Sequence, residues 1–113
     1  MARTVLIVDD HPSFRSSAHA ILEADGFEVV GESPDGASGL ADAKRLRPDV
    51  VLLDVQLPDA SGFDVCAELA SSCAVVLVSS RDRSDYGEQI ACCGACGFVA
   101  KDELSGAAVR ALL

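Results

Sequence analysis

Basic residues are scarce: Lys and Arg number 9 against 18 Asp and Glu in 113 residues, a formal net charge of −9. A domain this acidic is a poor ligand for duplex DNA, because phosphate binding draws on clustered Lys and Arg. Any contact with nucleic acid is therefore expected of another domain. Long apolar runs are also missing, and none approaches the roughly 18 residues of a membrane span. The start, Met1-Ala2-Arg3-Thr4, leads straight into a strand-like segment and lacks the cleavage pattern of a secretory signal. The expectation is a cytoplasmic protein without membrane contact. No internal repeat, linker or low-complexity stretch is present.

Cysteine is present but poorly arranged for bridging. The residues are Cys66, Cys73, Cys92, Cys93 and Cys96. An odd count in a cytoplasmic-type chain argues against a disulfide framework. Cys93-Gly-Ala-Cys96 has redox or zinc spacing, yet no second pair or nearby His completes a site. These thiols read as small apolar fillers.

What the chain does have is apolar substance: half of it is hydrophobic, enough for one self-sufficient core. Five apolar runs stand out, Val5–Val8, Glu28–Val30, Val50–Leu53, Ala74–Val78 and Phe98–Ala100. Most are continuous rather than alternating, as in strands buried on both faces. Helical spacing falls between them. Pro12 suits a first helical position, and Phe14, Ala18, Ile21 and Leu22 follow until Asp25-Gly26. Ala37, Leu40, Ala41 and Leu46 predict a second helix ending before Pro48. Phe63, Cys66, Ala67 and Ala70 predict a third. Ser84 or Asp85, with Glu88, predicts a capped fourth carrying Tyr86, Ile90 and Cys93 inward. A fifth is predicted from Glu103 to Leu113, with Leu104, Ala108, Ala111 and Leu112 on one side. It reaches the last residue without a Gly or Pro stop, so the chain is expected to be cut from a longer one.

The alternation βαβαβαβαβα predicts an α/β fold, a doubly wound parallel five-stranded sheet with helices on both faces. In such sheets the functional crevice lies at the carboxyl ends of the strands. The first strand ends in Asp9-Asp10, the third in Asp54, the fourth in Ser79-Ser80 and the fifth in Lys101. In the order 2-1-3-4-5, Asp54 lies about 5 Å sideways from the Asp9-Asp10 end, and Lys101 is about 10 Å away across strand four. Carboxylates this close repel one another. A hard divalent cation relieves that, and Mg²⁺ suits an open oxygen site that also binds phosphate. Asp54 is then the candidate nucleophile, since carboxylates form aspartyl-phosphates.

The segments "VLIVDDHP", "PDVVLLDVQLPDASGFDV", "VVLVSS" and "GACGFVAKD", in this order, resemble the receiver domain of bacterial two-component response regulators over nearly the whole chain. The resemblance implies a flavodoxin-like fold and a phosphorylation-switched role in signal transduction. It implies that Asp54 accepts a phosphoryl group from a sensor histidine kinase, with Mg²⁺ held by Asp9, Asp10, Asp54 and the carbonyl of Gln56. Asp10 is expected to ligate directly. Lys101 would pair with the phosphate, Ser79 would hydrogen-bond it after moving inward, and Phe98 takes the place of the aromatic switch. The readout face would be the fourth helix, fifth strand and fifth helix, with homodimerisation on phosphorylation. "DDHPSFR" and the "KD" after strand five are similar to the NarL/FixJ/LuxR type, whose members carry a C-terminal helix-turn-helix DNA-binding domain and regulate transcription. Three departures stand out: Asp102 follows Lys101 where many receivers have proline, the switch hydroxyl is Ser rather than Thr, and Phe98 lacks a hydroxyl. Outside the motifs, His11 reads as a loop residue before Pro12, His19 as a helix-surface residue and Arg81-Asp82-Arg83 as a solvated loop.

A rival class is an Mg²⁺-dependent phosphatase with an Asp nucleophile. Such enzymes use a second acid two residues beyond the nucleophile. Here Asp54 is followed by Val55 and Gln56, and Asp9 by Asp10 and His11. No cap-sized insertion is present either. A receiver that binds partners without phosphorylation is a third reading, against which the intact Asp54 and Lys101 weigh. The expectation is a protein that is no enzyme beyond forming and hydrolysing its own acyl phosphate.

Overall fold

The computed structural model describes residues 2–113. In chain order the elements are β1 (Thr4–Val8), α1 (Pro12–Ala24), β2 (Glu28–Ser33), α2 (Gly36–Leu46), β3 (Val50–Asp54), α3 (Gly62–Leu69), β4 (Ala74–Ser79), α4 (Gln89–Cys92), β5 (Gly97–Ala100) and α5 (Gly106–Leu112). Short 3₁₀ turns occupy Arg83–Asp85 and Lys101–Glu103. The strands form one parallel sheet in the order β2-β1-β3-β4-β5. Fold class and strand order are those expected from the alternation and the resemblance. No described helix is long and apolar enough to cross a membrane.

The continuous apolar runs exist because both sheet faces are covered. Leu6, Val8, Val51, Leu53, Val75 and Leu77 point to one side, where Ala43, Val65, Cys66, Leu69 and Ile90 from α2, α3 and α4 meet them. Val5, Ile7, Val50, Leu52, Val76 and Val78 point to the other, against Ala18 and Leu22 of α1 and Val109 of α5. Each fully buried Val, Leu or Ile contributes about 1.5–3 kcal/mol. A one-residue slip of any strand would exchange the two faces, so packing fixes the register.

Several local expectations need correction. In α2, Leu40 and Leu46 pack onto the core as predicted, but the buried positions are Gly36, Gly39 and Ala43, whereas Ala37 and Ala41 are exposed. Gly39 faces Val8 so closely that a Cβ there would lie 2.9 Å from its side chain. The small residue lets helix and strand meet. In α3, Val65, Cys66 and Leu69 are buried and Ala67 is exposed. The fourth helix is only four residues long, and neither Ser84 nor Asp85 caps it. Gly87, at φ +56°, breaks the backbone between the 3₁₀ turn and α4. Tyr86, Ile90 and Cys93 still pack onto the core, as their spacing predicts. The last helix begins at Gly106 rather than Glu103, because Leu104 is extended and the Ser105 side chain caps the helix by accepting from the Ala108 N–H at 3.0 Å. Its buried positions are Gly106 and Val109; Leu104, Ala108 and Leu112 pack onto the core as predicted, while Ala111 is exposed.

Candidate functional site

Parallel strands bring all their carboxyl ends to one edge of the sheet. The pairing Val8↔Leu53 sets Asp9 next to Asp54. The pairings Asp54↔Val78 and Ser79↔Ala100 step the edge outward to Ser79 and then to Lys101. Register alone thus gathers residues up to 92 positions apart in sequence, from Asp9 to Lys101.

Asp9 is fully buried. Its Oδ1 accepts from the His11 backbone N–H at 2.8 Å. Its Oδ2 has no hydrogen bond of good geometry, although the Lys101 Nζ lies 2.6 Å away as an ion pair. Arg15 donates to the Asp9 carbonyl. Asp10 is exposed and reaches the His11 ring, with Oδ1 3.1 Å from Nδ1. Asp54 is 3% exposed, its Oδ1 accepting from the Gln56 N–H at 3.2 Å and its Oδ2 lying 3.5 Å from Lys101 Nζ. Burial, together with the negative charge of Asp9, pushes the Asp54 carboxyl up to about 6, against the opposing pull of Lys101 and the Gln56 N–H. Lys101 is mostly buried, its ammonium 4.5 Å from the centre of the Phe14 ring. It neutralises one carboxylate, and Asp9 holds it more closely than Asp54 does.

His11 is a loop residue before Pro12, as expected, and the structure also gives it partners. It occupies the N-cap position of α1, and its Nδ1 lies 2.9 Å from Asp9 Oδ1, 4.0 Å from Asp54 Oδ2 and 3.4 Å from Lys101 Nζ. Donor atoms of Asp9, Asp10, His11 and Asp54 all lie within 4.8 Å of one another. Carboxylates at that range repel by roughly 3 kcal/mol per pair at an effective dielectric of about 20. With its buried Asp9 and Asp54 carboxylates, which a single ammonium does not neutralise, and its exposed Asp10, this donor set fits a hard divalent cation. The only sequence signal for His11 was its position directly after the acid pair. His19, by contrast, lies on the surface of α1, 2.9 Å from Glu32 Oε2.

Gln56 is exposed and pairs with Ser61 in an isolated bridge that closes the β3–α3 loop. Asp59 in the same loop accepts from the backbone N–H groups of Gly36 and Ala37, at 2.8 and 3.0 Å, which holds its carboxyl below the usual range. It fastens the loop to the start of α2, a role that nothing in its sequence position announced. Ser79 is buried and its Oγ lies 2.6 Å from the Tyr86 hydroxyl. Phe98 is half-buried, its ring centre 5.9 Å from that of Tyr86. No described peptide bond is cis, including Lys101–Asp102. A surface depression of about 740 Å³, bordered by Leu40, Lys44, Arg47, Glu68 and Cys73, lies between α2 and α3 and includes none of the acids. The five cysteines are free. Burial pushes the Cys66 thiol up to about 12, as suits an unreactive filler.

Comparison with known proteins agrees with this geometry. The family described as the response regulator receiver domain matches residues 5–112. The chain belongs to that family. BvgA of Bordetella pertussis, named as a transcription regulator of virulence factors, is 37% identical over 106 residues, covering 91% of this chain and 51% of BvgA. The DNA-binding transcriptional activator EvgA of Escherichia coli K12 is 33% identical over 101 residues, covering 87% and 50%. The chain therefore spans about half the length of the curated relatives it matches. Among solved structures, the signal receiver domain of the response regulator NarL from Mycobacterium tuberculosis superposes with a TM-score of 0.87 at 34% identity, covering 98% of this chain and 96% of that one. CheY4 of Vibrio cholerae shares the fold, with a TM-score of 0.87 at 24% identity and full coverage of both chains.

Proposed function

We propose that Asp54 is the phospho-acceptor of this receiver domain, taking a phosphoryl group from a sensor histidine kinase. The observation that carries this reading is the burial of Asp54 at the centre of the strand-end cluster, within 3.5 Å of the Lys101 ammonium. Asp9, Asp10, Asp54 and the carbonyl of Gln56 would hold Mg²⁺, which when bound offsets charge on the carboxylates and on the phosphoryl oxygens.

The remaining steps belong to the chain. The Gln56 N–H and Lys101 orient the Asp54 carboxylate. A carboxylate oxygen attacks phosphorus in line, forming the acyl phosphate as the bond from phosphorus to the kinase's histidine nitrogen breaks. Lys101 offsets charge gathering on the equatorial oxygens. The product adds about two negative charges and three strong acceptors, toward which Ser79 and Lys101 are drawn. Movement of β4's end and of β5 then alters the α4-β5-α5 surface around Phe98. The domain turns over no metabolite. It acts in the cytoplasm, and a C-terminal helix-turn-helix half of the full protein carries the response to DNA.

Incubation with acetyl phosphate and Mg²⁺ tests this. A hydroxylamine-labile adduct is expected on the unmodified protein and none on Asp54→Ala. An equal adduct on Asp54→Ala, or no adduct on either, sinks the reading.

A further inference from the structure

Tyr86 is the sole tyrosine of the chain, which has no tryptophan. Sequence spacing placed it among the inward residues of the fourth helix, and its ring does pack onto the core. Its hydroxyl does something the spacing did not announce. It lies 2.6 Å from Ser79 Oγ, while the Arg81 backbone N–H donates to the same oxygen at 3.1 Å. A serine hydroxyl has one proton and two lone pairs. The Arg81 N–H occupies one lone pair. Tyr86 takes either the proton or the second lone pair. In the first case Ser79 has no proton left for a phosphoryl oxygen. In the second its hydroxyl is held in the rotamer that faces the phenol.

The phenol is itself clamped. Its ring meets Phe63 of α3 edge-on, with centroids 5.5 Å apart at 67°, and Phe98 of β5 at 5.9 Å and 52°. Aromatic pairs in such tilted contacts add stabilisation beyond their buried area and fix ring orientation. Ser79 is therefore tied to a three-ring cluster that spans α3, the β4–α4 connection and β5. Phe98 has no hydroxyl of its own, and the hydroxyl nearest Ser79 is supplied one ring further out.

We propose that Tyr86 is a positioning residue that latches Ser79 in its phosphate-free orientation, so that release of the Ser79–Tyr86 hydrogen bond accompanies phosphorylation and passes the change to Phe63 and Phe98. The inference rests on reading Ser79 as the hydroxyl that contacts the phosphoryl group on Asp54. A tyrosine that merely fills the core would have its hydroxyl satisfied by Ser79 with no consequence for that group.

Beryllofluoride, a mimic of the aspartyl phosphoryl group, separates the two. The Mg²⁺-saturated protein is titrated with it and followed by backbone amide NMR. Tyr86→Phe keeps the ring and removes the hydroxyl. Its titration midpoint is expected to fall roughly 3- to 10-fold, the effect of one hydrogen bond that opposes binding. Ser79→Ala is expected to raise the midpoint, and Tyr86→Phe is expected to have no further effect in that background. An unchanged or raised midpoint for Tyr86→Phe, with Ser79→Ala still weakened, overturns the latch and leaves the role of Ser79 intact. A midpoint for Ser79→Ala equal to that of the unmodified protein removes the role of Ser79, and the latch with it. The unmodified protein gives a second readout, because tyrosine emission reports on Tyr86 alone. Saturation with beryllofluoride is expected to change that emission, and an unchanged emission overturns the proposal.

Discussion

Asp54 is a carboxyl that the fold holds under strain of charge. Its environment is apolar on the core side, and on the other the fully buried Asp9 carboxylate outweighs the pull of Lys101. In the metal-free folded protein it keeps its proton to about pH 6, whereas unfolded it releases it near 3.8. The folded state thus binds more protons between those values, and this group's contribution to stability falls as pH rises through them. The rise corresponds to on the order of 3 kcal/mol. Asp54→Asn is therefore expected to be more stable than the unmodified metal-free protein at pH 7, by about 1–3 kcal/mol. The gap should close toward pH 4, where both forms are neutral at this position. Urea unfolding at the two pH values checks it, and a gap that stays constant on acidification refutes it. On the proposed reading, the gain in stability comes with loss of phosphoryl acceptance.

Among the elements, the connection from β3 to α3 controls where Asp54 points. Val55 donates to the Val78 carbonyl at 3.0 Å, and the Gly62 N–H donates to the Val55 carbonyl at 2.7 Å. Gly62 passes so close to β3 that a Cβ there would lie 2.2 Å from the Asp54 carbonyl oxygen and 2.7 Å from Val55 Cα. Both neighbours are backbone and cannot swing aside. Gly62→Ala is expected to destabilise the domain by about 2–4 kcal/mol, seen as a lower denaturation midpoint at unchanged slope. A change under about 0.5 kcal/mol, the ordinary surface value, would show that the loop yields freely. The strands and α1 were legible in the sequence because apolar runs and the Pro12 start act over short range. The fourth and fifth helices were less so. Gly87 and Ser105 decide their starts through one left-handed residue and one cap, and a periodic pattern of inward residues does not register either.

At the scale of the whole molecule, the parallel strands of the sheet gather the candidate site at their carboxyl ends. The expected readout face runs along β5, where Phe98, Ala100, Ala108 and Leu112 line a shallow groove with Arg83 and Glu103 at its margin. Burial of that face between two copies on phosphorylation would give a symmetric dimer. Size-exclusion chromatography with Mg²⁺ and beryllofluoride is expected to show earlier elution than without beryllofluoride. An unchanged volume over a range of loading concentrations would exclude the dimer. Apolar surface does not by itself force the association, since Leu113 is the one large hydrophobic residue that is exposed among those described.

The amino-acid sequence by itself determined the alternation of strands and helices, the burial of both sheet faces and the chemical types waiting at each strand end. Those properties follow from short-range periodicity and from residue chemistry. Only the tertiary structure decided which atoms meet. It set Lys101 nearer to Asp9 than to Asp54, drew His11 into the acid cluster, tied Asp59 to α2 and joined Tyr86 to Ser79. These contacts depend on strand register and on side-chain direction at the ends of elements. Displacements of an ångström exchange one partner for another there, and no periodic pattern in the chain encodes them.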